Sequence, residues 1–370
     1  MLATLTLSQL RHYAVRRSIG RPAGLREAIG ALGFVQADPI RAPARAQDLI
    51  LRHRVRAYRA GQLEREYPGL DVEEDYFVNY GFLSRDLHAL LHPRNPVRGA
   101  RIEQMAPGVS ARVLEFIATN GPTDSRTLVA AMGKQQVVSG WGQGAEAATR
   151  ALNSLHFRGV LRVVSRANGN KVFGLASTGQ EPEDALPVEE RARRLLLAIV
   201  RLYAPVASST LVMLTRFLGY GAPEVADAAK KLLREPAFDE IVTMNVEGVR
   251  YAWPAGDEFG GDAPEKVRFL APFDPVCWDR VRFEHLHGWA YRFEAYTPPG
   301  RRIRGYYSLP LLWRERIIGW ANVSVRTGTL EVELGFEGDR PATKSFAREL
   351  DAEIERMGAF LGVVPAARTG

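Results

Sequence analysis

The sequence predicts an α+β fold: tandem winged-helix (helix-turn-helix) modules followed by a C-terminal β-barrel-like domain. Three observations carry this. Residues 110–175 order three apolar-periodic helices ahead of a two-stranded hairpin. Residues 189–253 repeat that order more loosely. After Lys266 the helical period gives way to aromatic and β-branched runs punctuated by Pro and Gly.

Each element has a local reason. Thr6 is a candidate N-cap for a helix over 6–18, with Leu7, Leu10, Ala14 and Val15 at helical spacing. A second helix over 24–32 stops at Gly33. Phe34 to Pro39 reads as extended, and a third helix runs from about Pro43 to Tyr58. In the middle region Val113 to Ile117 form an apolar helix broken at Asn120-Gly121-Pro122. Glycines 140, 142 and 144 precede a helix over 145–158, and Asn168-Gly169 suits a tight turn between strands. The next copy places helices at 191–203, 209–218 and 224–233 and strands at 240–244 and 249–253. Further strands are expected at 291–296, 303–307, 317–323 and 330–334, then an amphipathic helix carrying Phe346, Leu350, Ile354, Met357 and Leu361. The implied segments are 1–100, 101–180, 188–260 and 265–370, with linkers at 180–187 and 256–264.

The chain's 370 residues, 46% hydrophobic and 25% charged, are ordinary for globular domains with real cores. No apolar run approaches the roughly 18 residues of a membrane span, and no export signal is visible, so a cytoplasmic, non-membrane protein is expected. Cys277 stands alone, which excludes an internal disulfide and a cysteine-based zinc site. The seven histidines are scattered; His285 and His287 could share a strand face, but no companion ligand sits at a convincing spacing, and no metal or cofactor is expected.

A net charge of +7 favours a polyanionic partner. Only six of the 49 basic residues are lysine, which a GC-rich genome explains as readily as phosphate recognition. Distribution says more than the total. Residues 41–65 hold seven arginines, at 41, 45, 52, 54, 56, 59 and 65, against Asp48 and Glu64. Residues 66–86 hold six acids against Arg85 and read as a solvated acidic face.

Chemistry concentrates at Gln36 and Asp38. In an extended strand residues i and i+2 share a face, and Pro39 keeps Asp38 out of the α region. An amide and a carboxylate would then share an exposed face, with Arg41 and Arg45 placed to clamp flanking phosphates. The competing reading is structural: the pair caps a helix, and Asp-Pro starts a turn.

Phe34-Val35-Gln36-Ala37-Asp38-Pro39-Ile40, followed by Ala44-Arg45, resembles the Gln-x-Asp segment of winged-helix DNA glycosylases of the YcaQ/AlkZ type. The resemblance continues through Ala271-Pro272-Phe273-Asp274-Pro275-Val276-Cys277-Trp278-Asp279-Arg280, Tyr291 to Pro298 and Gly305 to Leu312. It implies a DNA-binding channel and hydrolysis of an N-glycosidic bond in double-stranded DNA carrying alkylated or crosslinked bases. Asp38 would activate a water and stabilise charge on the sugar, and Gln36 would hold that water or the sugar. Arg41, Arg45, Arg52 and Arg54, with the hairpin residues Arg162, Arg166 and Lys171 and the loop residues Arg301 and Arg302, are the expected phosphate contacts. A monomer is expected. The chain departs from the family's pattern at Asn79, at Trp141-Gly142-Gln143-Gly144, and at Asn322 and Ser324, where charged or aromatic residues are usual.

Two other readings stay open. One is a non-catalytic winged-helix DNA binder, a regulator or a damaged-DNA binder. Against regulation, the helix over 145–158 offers only Arg150, Asn153 and Arg158 to base edges. The other is an interaction scaffold, suggested by the acidic stretch.

Overall fold

The computed structural model describes residues 5–20, 23–94, 101–138, 144–167, 169–176, 186–234, 239–261 and 264–365. The first helix, Leu7–Ile19, begins on a reciprocal cap: the Thr6 hydroxyl accepts from Gln9 N at 3.2 Å, and Gln9 Oε1 accepts from Thr6 N at 2.9 Å. The next, Leu25–Leu32, ends on Gly33 at φ 72°, a conformation that favours glycine. The strand Phe34–Gln36 follows.

The helix expected over 43–58 is much shorter, Ala46–Leu51. Beyond it the backbone turns to pair with Ala23, which donates to Arg54 O at 2.9 Å and accepts from Arg56 N at 3.2 Å. Those groups are thereby lost to a helical ladder.

The chain divides into two units. The first comprises Met1–Gln62, Leu196–Leu214 and Leu232–Gly370; the second comprises Leu63–Leu195 and Thr215–Lys231.

In the first unit a curled, half-barrel sheet takes its strands in chain order: Val267–Phe269, Leu309–Trp313, Arg316–Arg326, Thr329–Phe336 and Val364–Pro365. All neighbours are antiparallel except the last pair. Ile317, Ala321 and Val323 alternate inward along the long strand, as a half-buried sheet requires. The helix Lys344–Leu361 buries Phe346, Leu350, Met357 and Phe360. A smaller sheet joins Ile241–Val246, Val249–Pro254 and Val206–Ala207.

Two expected strands are absent: 291–296 and 303–307 run as irregular chain. The buried Glu294 carboxylate explains why. It accepts from the amides of Ile303 (3.0 Å), Arg304 (2.8 Å) and Gly305 (3.2 Å), groups that a strand would give to a neighbour. His285 and His287 lie on a helix, Arg280–His287, rather than a strand. Aromatic content had imitated a β pattern in both places.

The second unit contains a hairpin, Val72–Tyr76 with Tyr80–Ser84. It continues through Val109–Asn120, Thr123–Asp124, Ser125–Met132, Gln136–Val138, Gly144–Glu146, Ala147–Phe157, Leu161–Ala167 and Asn170–Leu175. Asp124 caps the second of these helices, accepting from Arg126 N at 2.8 Å. Thr123–Asp124 pairs with Asn170–Leu175, which pairs with Leu161–Ala167, so a three-stranded sheet backs the helices. Val113, Ile117, Leu128, Leu152, Leu155 and Val163 form their buried face. Asn168, the glycines at 140 and 142, Trp141 to Gln143, and most of the expected 180–187 linker lie outside the described residues. No helix among the described residues is long and apolar enough to cross a membrane.

Candidate active site

Gln36 ends its strand buried, at 6% exposure, rather than on the open face the alternation suggested. Its Oε1 accepts from Trp278 Nε1 at 2.8 Å. That indole packs on Tyr203 with ring centroids 4.9 Å apart. The carboxamide is therefore oriented, its carbonyl inward and its NH2 turned away from the tryptophan. Trp278 closes the short helix Pro275–Trp278, whose cap, Asp274, accepts from Val276 N at 3.0 Å.

Asp38 lies beyond the strand and is half-buried. Its Oδ1 accepts from Ile40 N at 2.8 Å, the turn geometry expected of Asp-Pro. Its other oxygen has no protein partner among the described residues. Burial raises its pKa above the ordinary carboxylate range, against the smaller opposing effect of the Ile40 amide. A half-buried carboxylate with one oxygen free of protein partners can take a water or stabilise a nearby cation.

A cavity of about 440 Å³ in the same unit is walled by Ala42, Tyr306, Tyr307, Asn322, Ser324 and Glu333 among others. Tyr307 is near enough to Asp38 for that charge to act on it. Burial, and then the Asp38 carboxylate, hold its hydroxyl well above the usual phenol range.

The expected phosphate contacts separate into two groups. Arg52 and Arg54 are corrected to structural roles. Arg52 donates to buried Glu353 at 2.8 Å, and Arg54 grips buried Asp274 through two bonds of 2.8 and 2.9 Å. Arg162 pairs with Glu73 at 2.7 Å, Arg166 forks onto Glu74, and Lys171 sits 3.8 Å from the Tyr80 ring centre with its pKa lowered by burial. The two arginines answer buried acids of their own unit while Lys171 lies on a tyrosine ring, and Glu73, Glu74 and Asp75 are counter-ions rather than a solvated face. Arg41 and Arg301 are exposed. Arg45 is half-buried with a partner, and Arg302, also half-buried, donates to Thr297 O at 2.8 Å beside Tyr306.

Comparison with known proteins decides the class. The family model described as "DNA glycosylase AlkZ-like" matches residues 29–360. The chain belongs to the AlkZ-like DNA glycosylase family. The solved structure of Streptomyces sahachiroi DNA glycosylase AlkZ superposes with a TM-score of 0.62 over 98% of this chain and 99% of that one, at 17% identity, which establishes the shared fold. At this level the function is that of a DNA glycosylase in DNA repair, a hydrolase whose partner is DNA.

Against that AlkZ-like frame the departing residues have identifiable jobs. Asn79 shapes the turn of its hairpin, accepting through Oδ1 from Tyr80 N at 2.8 Å. Asn322 donates to Arg304 O at 2.8 Å and lies against Gly305, at φ 130°, where a side chain would collide with the carboxamide. Ser324 is exposed on the cavity wall.

Sequence reasoning missed Trp278 as the orienter of Gln36; its signal was its place in the family-like run 271–280. It also missed a convergence of histidines. Asp75, His88 and His92 bring potential ligand atoms within 4.8 Å of one another. Arg94 donates to the same Asp75 Oδ2 at 2.8 Å, so a guanidinium already supplies the cation there.

Proposed function

We propose that the chain hydrolyses the N-glycosidic bond of N7-alkylated or crosslinked purines in double-stranded DNA. On this reading it is a monofunctional, monomeric, cytoplasmic enzyme whose helix–helix–helix–hairpin segments are winged helices. The observation that carries the proposal is Asp38: half-buried, raised in pKa, with one oxygen free of protein partners among the described residues, and two residues along the chain from the oriented Gln36 amide. An N7-alkylated purine already carries a positive charge, so it leaves without an acid to protonate it. Water oxygen bonds to C1′, the C1′–N bond breaks with its electron pair going to the base, and the water's proton passes to Asp38. Before transfer the carboxylate stabilises positive charge on the sugar. Gln36 holds the water or the sugar through its NH2. Arg41, Arg301 and Arg302, with Arg45, are the phosphate contacts on this reading; the arginines committed to buried acids are not.

The test is base release from a duplex carrying one N7-alkylguanine, by the parent and by Asp38→Asn. Release by the parent alone supports the assignment. Salt-dependent binding without release, by either protein, transfers the reading to a damaged-DNA binder that has kept the fold. The neutral Asn322 and Ser324 at the cavity wall are the observation favouring that second reading.

A further inference from the structure

The chain between Glu294 and Tyr306 forms a loop whose polarity is inverted. Its interior is polar. The buried Glu294 carboxylate collects the amides of Ile303, Arg304 and Gly305. Asn322 Nδ2 donates to Arg304 O at 2.8 Å, and the Arg304 guanidinium bonds Glu337 at 2.6 Å while lying over the rings of Trp289 and Trp320. Arg302 donates to Thr297 O at 2.8 Å. The outside is apolar: Tyr296 is 82% exposed and Ile303 76%. A compact surface loop ordinarily packs its own side chains inward. This one uses its polar groups to fix a backbone that holds apolar side chains out. Ile303 is the more sharply placed of the two. Both Glu294 oxygens hold its amide, at 3.0 and 3.1 Å, and a β-branched side chain is stiff at χ1. The Tyr296 ring instead leans edge-on against Phe293, with centroids 6.1 Å apart.

Charge indicates what this loop meets. Residues 295–306 hold Arg301, Arg302 and Arg304 and no acid. Glu337 answers Arg304, which leaves exposed Arg301 and half-buried Arg302 on either side of no counter-ion in that stretch. A fixed apolar tip flanked by cations fits a partner that is anionic outside and apolar and stacked within. That describes a nucleic-acid duplex, and DNA is the partner the family gives. We propose that Ile303 is a wedge, inserted between stacked bases at the damaged site while Arg301 and Arg302 hold the flanking phosphates. The inference rests on the reading of those two arginines as phosphate contacts, and not on the role given to Asp38. Parting a base step costs stacking energy, and least where a base is damaged. The wedge therefore enters a lesion more readily than intact duplex, and this favours the damaged site without a hydrogen bond to any base.

The experiment reads 2-aminopurine fluorescence, which rises when that base is unstacked, in a duplex carrying one N7-methylguanine with 2-aminopurine as its neighbour. The parent, Ile303→Ser, Ile303→Leu and Arg301→Ala are each titrated to saturation, with the salt dependence of binding and Tm recorded. The parent should raise the fluorescence. Ile303→Ser should lose more than half of that rise while its salt slope and Tm match the parent's, because the side chain is exposed. Ile303→Leu should restore the rise. Arg301→Ala should keep the rise at saturation and lower the slope of log K against log salt by about 1. A rise in Ile303→Ser equal to the parent's overturns the proposal. So does a lower Tm in that variant, the mark of a structural role. So does a parent that sediments as a dimer beside an Ile303→Ser that sediments as a monomer, the mark of a subunit contact. Salt-dependent binding by the parent without any rise overturns the wedge and leaves the phosphate contacts standing; no salt-dependent binding at all overturns both. None of these readouts depends on base release, so failure of the Asp38 assignment is told apart from failure of Ile303.

Discussion

Asp38 and Asp75 both lie in or just after short strands, both partly or wholly withdrawn from water, and their surroundings push them in opposite directions. Burial would raise Asp75, but the hydrogen bond from His88, the neighbouring His92 imidazole and the charge of Arg94 carry it well below the usual carboxylate range. Its Oδ1 is also occupied, by Tyr76 N at 2.7 Å. Asp38 has one backbone amide to set against burial, and its pKa rises. The difference teaches which acids are available. A carboxylate whose lone pairs are all met within the chain holds the fold; one left short has capacity for something that arrives.

The sharpest way to break this comparison is to neutralise each acid in turn. Asp75→Asn leaves Arg94 buried without its counter-ion and should cost about 3–5 kcal/mol of stability, measured by denaturant unfolding, with the rate per folded molecule kept. Asp38→Asn should leave stability within about 1 kcal/mol of the parent while base release falls by at least 10²–10³-fold, the scale of losing one preorganised electrostatic group. If Asp75→Asn were the variant that lost its rate at full stability, the roles would be reversed.

Acid sharpens the comparison further. Asp38 is raised, so base release should fall as pH drops through a midpoint above about 3.9, the free carboxylate value. A midpoint at or below that value would remove Asp38 as the titrating group. Stability should follow other groups. His92 is half-buried and desolvation lowers its pKa to about 4, against about 6.5 unfolded, so the unfolded chain takes up protons the folded one refuses. Stability should decline as pH falls from about 6.5 to about 4. Asp75, depressed when folded, adds its own loss only as pH falls from about 3.9 through its folded pKa. Tm recorded across this range checks both.

The smallest effect belongs to the exposed arginines. Arg301→Ala should weaken DNA binding evenly across sequences and lower the slope of log K against log salt by about 1. Arg54→Ala should leave that slope alone and lower Tm, because its partner is Asp274.

What was legible in the sequence follows the same line between local and distant causes. Caps and periodicity placed Leu7–Ile19 and Leu25–Leu32 because Thr6, Gln9 and Gly33 act within a turn or two. The three helices and hairpin over 109–175 fall where their spacing indicated. Gln36 and Asp38 stood out by chemistry, but not the orientation of the Gln36 amide. That depends on Trp278, and an indole read in isolation is ordinary core. The arginines misled for a related reason. A run of them looks like a phosphate-binding wall until Glu353 and Asp274 arrive from far along the chain. The strands expected at 291–296 and 303–307 failed because Glu294 reaches across to collect three amides, a contact no period reveals.

The bond between Trp278 and Gln36 spans 242 residues of chain. At synthesis rates of about 5–20 residues per second, the strand bearing Gln36 waits roughly 12–50 s on the ribosome before its tryptophan is made. Until then the pair that would handle the substrate has no fixed geometry. A nascent or truncated chain lacking the 275–278 helix could hold most of the second unit's residues and still have no oriented amide beside Asp38. On the reading of Gln36 and Asp38 as the reacting pair, competence arrives only once this late helix has been made.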